Sequence, residues 1–125
     1  MLYGSDLTGI IIGAAIEVHR YLGPGLLESV YEQCLAQELR DKGLSVSSQQ
    51  SLPIIYKGNV LDASYRIDLV VNQQVILELK AVQKLEPIHK SQLLTYLKLS
   101  NINIGLLLNF NVPKMKDGIH RVMHN

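Results

Sequence analysis

Three stretches of this chain space their apolar residues as helices do, and four carry them in alternation or as unbroken runs. Leu7–Leu22 is apolar around most of its circumference, and Gly9 and Gly13 leave room for another backbone, so it reads as a packed helix. Gly23-Pro24-Gly25 ends it, and Leu26–Lys42 follows as a second helix stopped by Gly43. The tripeptide is a turn and not a phosphate-binding loop, because the Gly-Lys-Ser/Thr ending is missing. Ser47–Lys57 reads as a strand in which Pro53 predicts an edge position, and Lys57-Gly58-Asn59 turns the chain into Val60–Val71. Val75–Val82 is the next strand, Pro87 opens a third helix to about Ser100, and Ile102–Phe110 is a nearly unbroken apolar strand of the kind buried on both faces. The order helix-helix-strand-strand-strand-helix-strand describes an α/β fold: a small mixed β-sheet flanked by helices, with one parallel crossover.

The same alternation sets a register for the middle hairpin. If Ile67, Leu69 and Val71 share a face with Val75, Leu77 and Leu79, the loop Asn72-Gln73-Gln74 places Val71 against Val75, Leu69 against Leu77 and Ile67 against Leu79. On the opposite face Asp68 then stands across from Glu78, with Lys80 two residues further on. Directly opposed like charges destabilise a sheet by up to about 1 kcal/mol. A hard divalent cation with oxygen ligands would offset that repulsion.

Two helical positions are odd for their chemistry. Gln92 falls between Ile88, His89, Tyr96 and Leu99, inside the expected apolar face of the third helix, where a buried amide needs partners. Glu28 lies at the edge of the second helix's apolar stripe beside Tyr31, Leu35 and Leu39, and joins the acidic cluster if that helix covers the carboxylate face. Composition sets the scale: 125 residues with 47% hydrophobic content make one domain with a sizeable core, residues 1–125. A formal charge of +1 means that any nucleic acid must be held by a local basic patch. The single cysteine, Cys34, cannot form an internal disulfide, and no signal peptide precedes the fold, so a cytoplasmic protein is expected. The longest apolar run, Ile10–Ile16, is too short to span a bilayer, and no membrane partner is expected.

Asp68, the Glu78-x-Lys80 element on the following strand and the helix-strand crossover behind it resemble the core of the PD-(D/E)XK nuclease superfamily. Gly25-Leu26-Leu27-Glu28-Ser29-Val30-Tyr31 is similar to the signature of the GxxExxY protein family, grouped with those nucleases, and the likeness runs from roughly Ile11 to Val122. Gln92-Leu93-Leu94-Thr95-Tyr96 resembles the Gln-x-x-x-Tyr element of RecB-like nucleases, while Ile67 replaces the proline that names the superfamily motif. The resemblance implies a restriction-endonuclease-like core and a metal-dependent phosphodiesterase acting on nucleic acid, DNA rather than RNA. Asp68 and Glu78, with Glu28 directly or through water, would hold Mg²⁺ or Mn²⁺, which favour oxygen ligands. Lys80 would stand beside the attacking water, Gln92 would position Lys80, the water or a phosphate, and Tyr31 and Tyr96 would support the reacting groups or pack behind them.

Each residue also has a plainer reading. Glu-x-Lys on a strand is commonly a solvated face, Gln92 a core amide capping a loose backbone group, and Glu28 an exposed acid at a helix N-terminus, where the dipole favours it. Cys34 reads as core, and His19 and His89 as surface or supporting groups. His120 and His124 have a spacing that could bind a transition metal on a helix, but they fall in a short terminal tail. Lys84, Lys90, Lys98, Lys114, Lys116 and Arg121 read as solvated charges unless the fold gathers them near Lys80. Three functions therefore stand side by side: a metal-dependent nuclease, a nucleic-acid-binding or regulatory module on a nuclease scaffold, and an interaction protein whose acidic cluster holds structural metal. Low net charge and the lack of a specificity domain suit a homodimer or a targeting partner.

Overall fold

The computed structural model describes residues 4–125. Two helices, α1 (Gly4–Leu22) and α2 (Glu28–Asp41), precede a sheet built from β1 (Val46–Tyr56), β2 (Asn59–Val71) and β3 (Val75–Lys80). Helix α3 (Pro87–Ser100) crosses over to β4 (Ile104–Asn109), and a short 3-10 turn at Met115–Gly118 leads into β5 (Ile119–Met123). Strand order is β1-β2-β3-β4-β5, with β3 and β4 parallel and every other neighbouring pair antiparallel. This is a mixed sheet flanked by helices, and the expected βαβ crossover is present. Pro53 does lie on an edge strand, at the point where the β1–β2 register shifts.

The sheet is covered on both faces, which is why β3 and β4 are apolar almost throughout. On one face α1 and α2 pack Leu7, Ile11, Val18, Tyr31, Leu35 and Leu39 against Leu69, Val71, Leu77, Leu79, Leu106 and Leu108. On the other, α3 packs Leu93, Tyr96 and Leu97 against Ile67, Val70, Ile76 and Leu107. Gly105 makes the second contact close: a Cβ there would stand 2.9 Å from the Leu93 side chain. By contrast, a Cβ on Gly9 or Gly13 would meet nothing within 4 Å, so those glycines face outward and serve no close helix contact. Correspondingly, α1 is more amphipathic than its composition suggests, with Ile16 and Tyr21 exposed.

Three further expectations are corrected. The C-terminal segment is not a free tail, because Ile119–Met123 pairs with β4 as a fifth strand and the Arg121 guanidinium donates to the Thr8 hydroxyl of α1 at 2.9 Å. His120 lies on that strand and His124 follows it, so their i, i+4 spacing is not that of a helix. His19 is not a surface group; it is buried, with Nε2 2.7 Å from the Val112 carbonyl. On α3, Ile88 and Leu99 are exposed and the buried stripe runs through Leu93, Tyr96 and Leu97. Gln92 is therefore half-buried at the stripe's margin rather than at its centre.

Candidate functional site

The turn at Asn72-Gln73 holds the β2–β3 hairpin as the alternation requires. Both residues adopt positive φ, 52° each, and the Gln74 N–H donates to the Val71 carbonyl at 2.9 Å, the pattern of a type I′ hairpin turn. Pairing then follows the expected register through Val71–Val75, Val70–Ile76 and Leu69–Leu77. There it stops. Ile67 does not pair with Leu79 and does not share a face with Leu69 and Val71: it packs under α3, whereas Leu69 and Val71 pack under α1 and α2. Side chains alternate along a strand, so two residues of like parity on opposite faces mean that β2 reverses its faces at Asp68. Strand β1 reverses with it, since Leu52 opposite Tyr65 packs under α3 while Val46 opposite Val71 packs under α1 and α2.

The reversal gives Asp68 a role that a regular strand residue lacks. Its Oδ2 accepts a hydrogen bond from the Leu79 N–H at 2.9 Å, so a carboxylate takes over from the ladder where the strands part. Glu78 lies beside it, 5% exposed. Burial, a hydrogen bond shared with Asp68 and the Asp68 charge together push the Glu78 carboxyl up to about 10, against smaller opposing effects of Lys80 and the Asp68 backbone N–H. The Glu78 carboxyl is thereby biased toward its protonated form. Half-buried Lys80 acts on Glu78 through space without a direct ion pair; the only ion pair among the described residues is Glu17–Arg20.

Helix α3 delivers Tyr96 to the same place. It is buried, its ring lies 5.1 Å from that of Tyr65, and its hydroxyl is pushed up to about 12 by burial and then by the charges of Glu78 and Asp68. The Gln92 side chain, one turn earlier, has no hydrogen-bond partner among the described residues. Its amide thus caps no backbone group.

Glu28, Tyr31 and the preceding glycines form one local device. Gly23 and Gly25 take φ of 75° and 95°, which an L side chain rarely tolerates, and so turn the chain from α1 into α2. Tyr31 is fully buried and stacked on Phe110 at 4.5 Å; its hydroxyl donates to the Gly23 carbonyl at 2.5 Å and accepts from the Leu26 N–H at 3.1 Å. That pins the loop. Glu28, the first helical residue, then reaches across to β3, where its Oε2 accepts from the Ala81 N–H at 3.1 Å. It sits on the backbone beside Lys80 and does not complete a three-ligand group: no set of three or more His, Cys, Asp or Glu side chains converges for a metal among the described residues. Asp68 and Glu78 come together as a pair, and an octahedral ion that keeps several waters needs only one or two carboxylates.

Three residues around this pair are absent from the sequence reading. Asn109, 3% exposed and paired with Lys80 across the parallel ladder, donates through Nδ2 to the Val82 carbonyl at 2.9 Å and accepts from the Val82 N–H at 3.1 Å. The Phe110 N–H adds a bond to the Lys80 carbonyl at 2.9 Å, so the exit from β3 is held after its ladder ends. A polar residue closing an apolar run is the signal that could have found Asn109. Glu32 stands one turn beyond Glu28, visible on a helical wheel, and its carboxyl is raised by burial and by the charges of Asp68 and Glu28. Gln49 donates to Glu32 Oε1 at 2.8 Å and to Asp68 Oδ1 at 3.3 Å; nothing in the pattern of β1 marks it.

Comparison with known proteins adds to this geometry. The family model of the PD-(D/E)XK nuclease superfamily matches residues 5–122. A solved structure titled "Crystal structure of SSO0001" is similar over 95% of this chain and 77% of that one, with 18% identity and a TM-score of 0.43. No curated protein matches.

Proposed function

Since the chain belongs to the PD-(D/E)XK nuclease superfamily, we propose that its 125 residues form one domain that hydrolyses phosphodiester bonds of DNA with Mg²⁺ or Mn²⁺. One observation carries the reading: Asp68 and the buried acid Glu78 meet at the point where β2 and β3 part, with Lys80 two residues further along the same strand as Glu78. Two hard oxygen donors that repel one another as anions would suit a divalent cation, and Asp68 and Glu78 would hold it. When bound, such an ion lowers the pKa of a coordinated water and neutralises charge on the scissile phosphate.

The remaining roles belong to the chain. Lys80, an ammonium with three donors, orients the nucleophilic water or meets charge developing on the phosphate. Glu28 holds the Ala81 backbone and would join the metal's ligands directly or through water. Gln92, with an amide uncommitted to the described residues, is available to a phosphate or to the water. Tyr31 and Tyr96 hold the α2 entrance and the floor of the site. The Gly25-x-x-Glu28-x-x-Tyr31 arrangement supports the narrower likeness to GxxExxY proteins. No helix of the described residues is long and apolar enough to cross a membrane; the proposed place of work is the cytoplasm. A net charge of only +1 favours targeting by a second copy or a partner protein.

Single-turnover cleavage of labelled single- and double-stranded DNA with Mg²⁺ and with Mn²⁺ tests the proposal. Lys80→Ala should lower the rate on the order of 10²-fold or more, the scale of losing one preorganised electrostatic group, while the melting temperature holds. Equal rates in wild type and Lys80→Ala would sink it. A second reading stands beside it, a scaffold that binds nucleic acid without cutting it. Metal-independent DNA binding without cleavage selects that one.

A further inference from the structure

We propose that Gln49 is a positioning residue for the Asp68 carboxylate, anchored from behind by Glu32. Five non-glycine residues take positive φ among those described: Lys57, Asn72, Gln73, Asn101 and Gln49. Four of them sit in turns or at the end of α3, whereas Gln49, at 53°, lies inside strand β1. A left-handed conformation in a strand is strained and persists only where the surroundings over-determine it. Here they do so at one level of the sheet: Ser48 pairs with Leu69 and Gln50 with Ile67, so Gln49 stands opposite Asp68, where both strands reverse their faces.

The side chain shows what that backbone serves. Nε2 donates one hydrogen to Glu32 Oε1 at 2.8 Å and the other to Asp68 Oδ1 at 3.3 Å, while Asp68 Oδ2 is held by the Leu79 N–H. Both Asp68 oxygens are thereby fixed, one from each side. An amide suits this position better than any charged group. It bridges two carboxylates that otherwise repel, and it adds no positive charge to compete with a cation. A lysine or arginine would neutralise Asp68, and a glutamate has no hydrogens to donate. Carboxylates that bind metals are themselves held by such outer partners, whose removal typically costs about 10–100-fold in affinity or activity. Only this functional consequence rests on the nuclease reading; the hold on Asp68 does not.

Gln49→Gly separates backbone from side chain, because glycine accepts the positive φ and lacks the amide. Two readouts apply: the chemical shift and hydrogen exchange of the Leu79 amide in metal-free protein, and Mn²⁺ affinity by calorimetry. The expected result is a melting temperature at or above wild type, a displaced and faster-exchanging Leu79 amide, and Mn²⁺ binding about 10–100-fold weaker. Gln49→Asn, tolerant of the same φ but one methylene too short to bridge, should give the same pattern and serves if the glycine variant folds poorly. An unchanged Leu79 amide in a folded variant overturns the proposal whether or not metal binds. A displaced Leu79 amide in a protein whose wild type binds no Mn²⁺ upholds the hold on Asp68 and overturns the nuclease reading instead.

Discussion

The two ends of the β2–β3 hairpin are built from the same strands and obey different rules. At the turn end, Val71–Val75, Val70–Ile76 and Leu69–Leu77 pair in regular succession, and all six side chains are fully buried under helices on the two faces. At the other end the pairing stops and β2 reverses its faces, and the Leu79 N–H is satisfied by the Asp68 carboxylate. A regular ladder satisfies the backbone with the backbone and leaves side chains free to pack. Where it is broken, the orphaned N–H must find another acceptor. Here that acceptor is a carboxylate beside a second carboxyl, so the irregularity stations polar groups between the two apolar cores that cover the sheet. The turn end holds the fold together, and the parted end carries the proposed chemistry.

The comparison can be broken most forcefully at the turn end. Leu77→Ala removes a fully buried side chain and should cost about 2–5 kcal/mol in urea denaturation. Cleavage per folded molecule should stay near wild type, the reverse of Lys80→Ala. If Leu77→Ala instead abolishes the rate in protein shown to be folded, the two ends are not separable. A smaller effect sharpens the other end. The folded-state pKa of Glu78, raised to about 10, lies above its ordinary value of 4.5, so between those values the native protein holds a proton that the unfolded chain has lost. Stability from this group is complete below the lower value and declines as pH rises toward the upper one. Glu32, raised for similar reasons, adds a decline of the same sign. Urea midpoints of metal-free protein from pH 5 to pH 9 should therefore fall, and Glu78→Gln, an uncharged stand-in, should flatten most of the slope. A midpoint that climbs with pH contradicts the assignment.

The smallest effect belongs to the turn. Gln73 carries a side chain at φ 52°, where glycine is at ease, and its Nε2 bond to Gln50 is exposed and of little worth. Gln73→Gly should stabilise by a few tenths to about 1 kcal/mol, the relief of left-handed strain less the added freedom of the unfolded chain. Mn²⁺ affinity should not move. A loss of stability would show that the Gln73 side chain contributes more than its exposure suggests.

Much of this molecule is written in local pattern. Apolar spacing alone locates three helices and four of the five strands, because whether a segment buries one stripe, alternate residues or both faces is decided over a few neighbours. Pro53 marks an edge strand because it cannot donate to a ladder, and the crossover from β3 through α3 to β4 follows from element order. The conjunction of Asp68, Glu78 and Lys80 is legible for the same reason, since a short hairpin loop leaves one register that keeps Leu69 and Leu77 together. Other features depend on contacts between residues far apart in the chain. Ile119–Met123 has no strand signal strong enough to stand alone and becomes a strand because β4 offers it an edge. His19 becomes buried because Val112 supplies its acceptor 93 residues away. The reversal of β1 and β2 at Gln49 and Asp68 arises because two helices cover one face of the sheet and one helix the other, and the strands must cross between these cores. Gln49 and Asn109 acquire their partners only then. Sequence by itself determined which residues are the candidates for the chemistry; tertiary structure decided which residues hold them, because a hydrogen bond between distant segments leaves no periodicity in either.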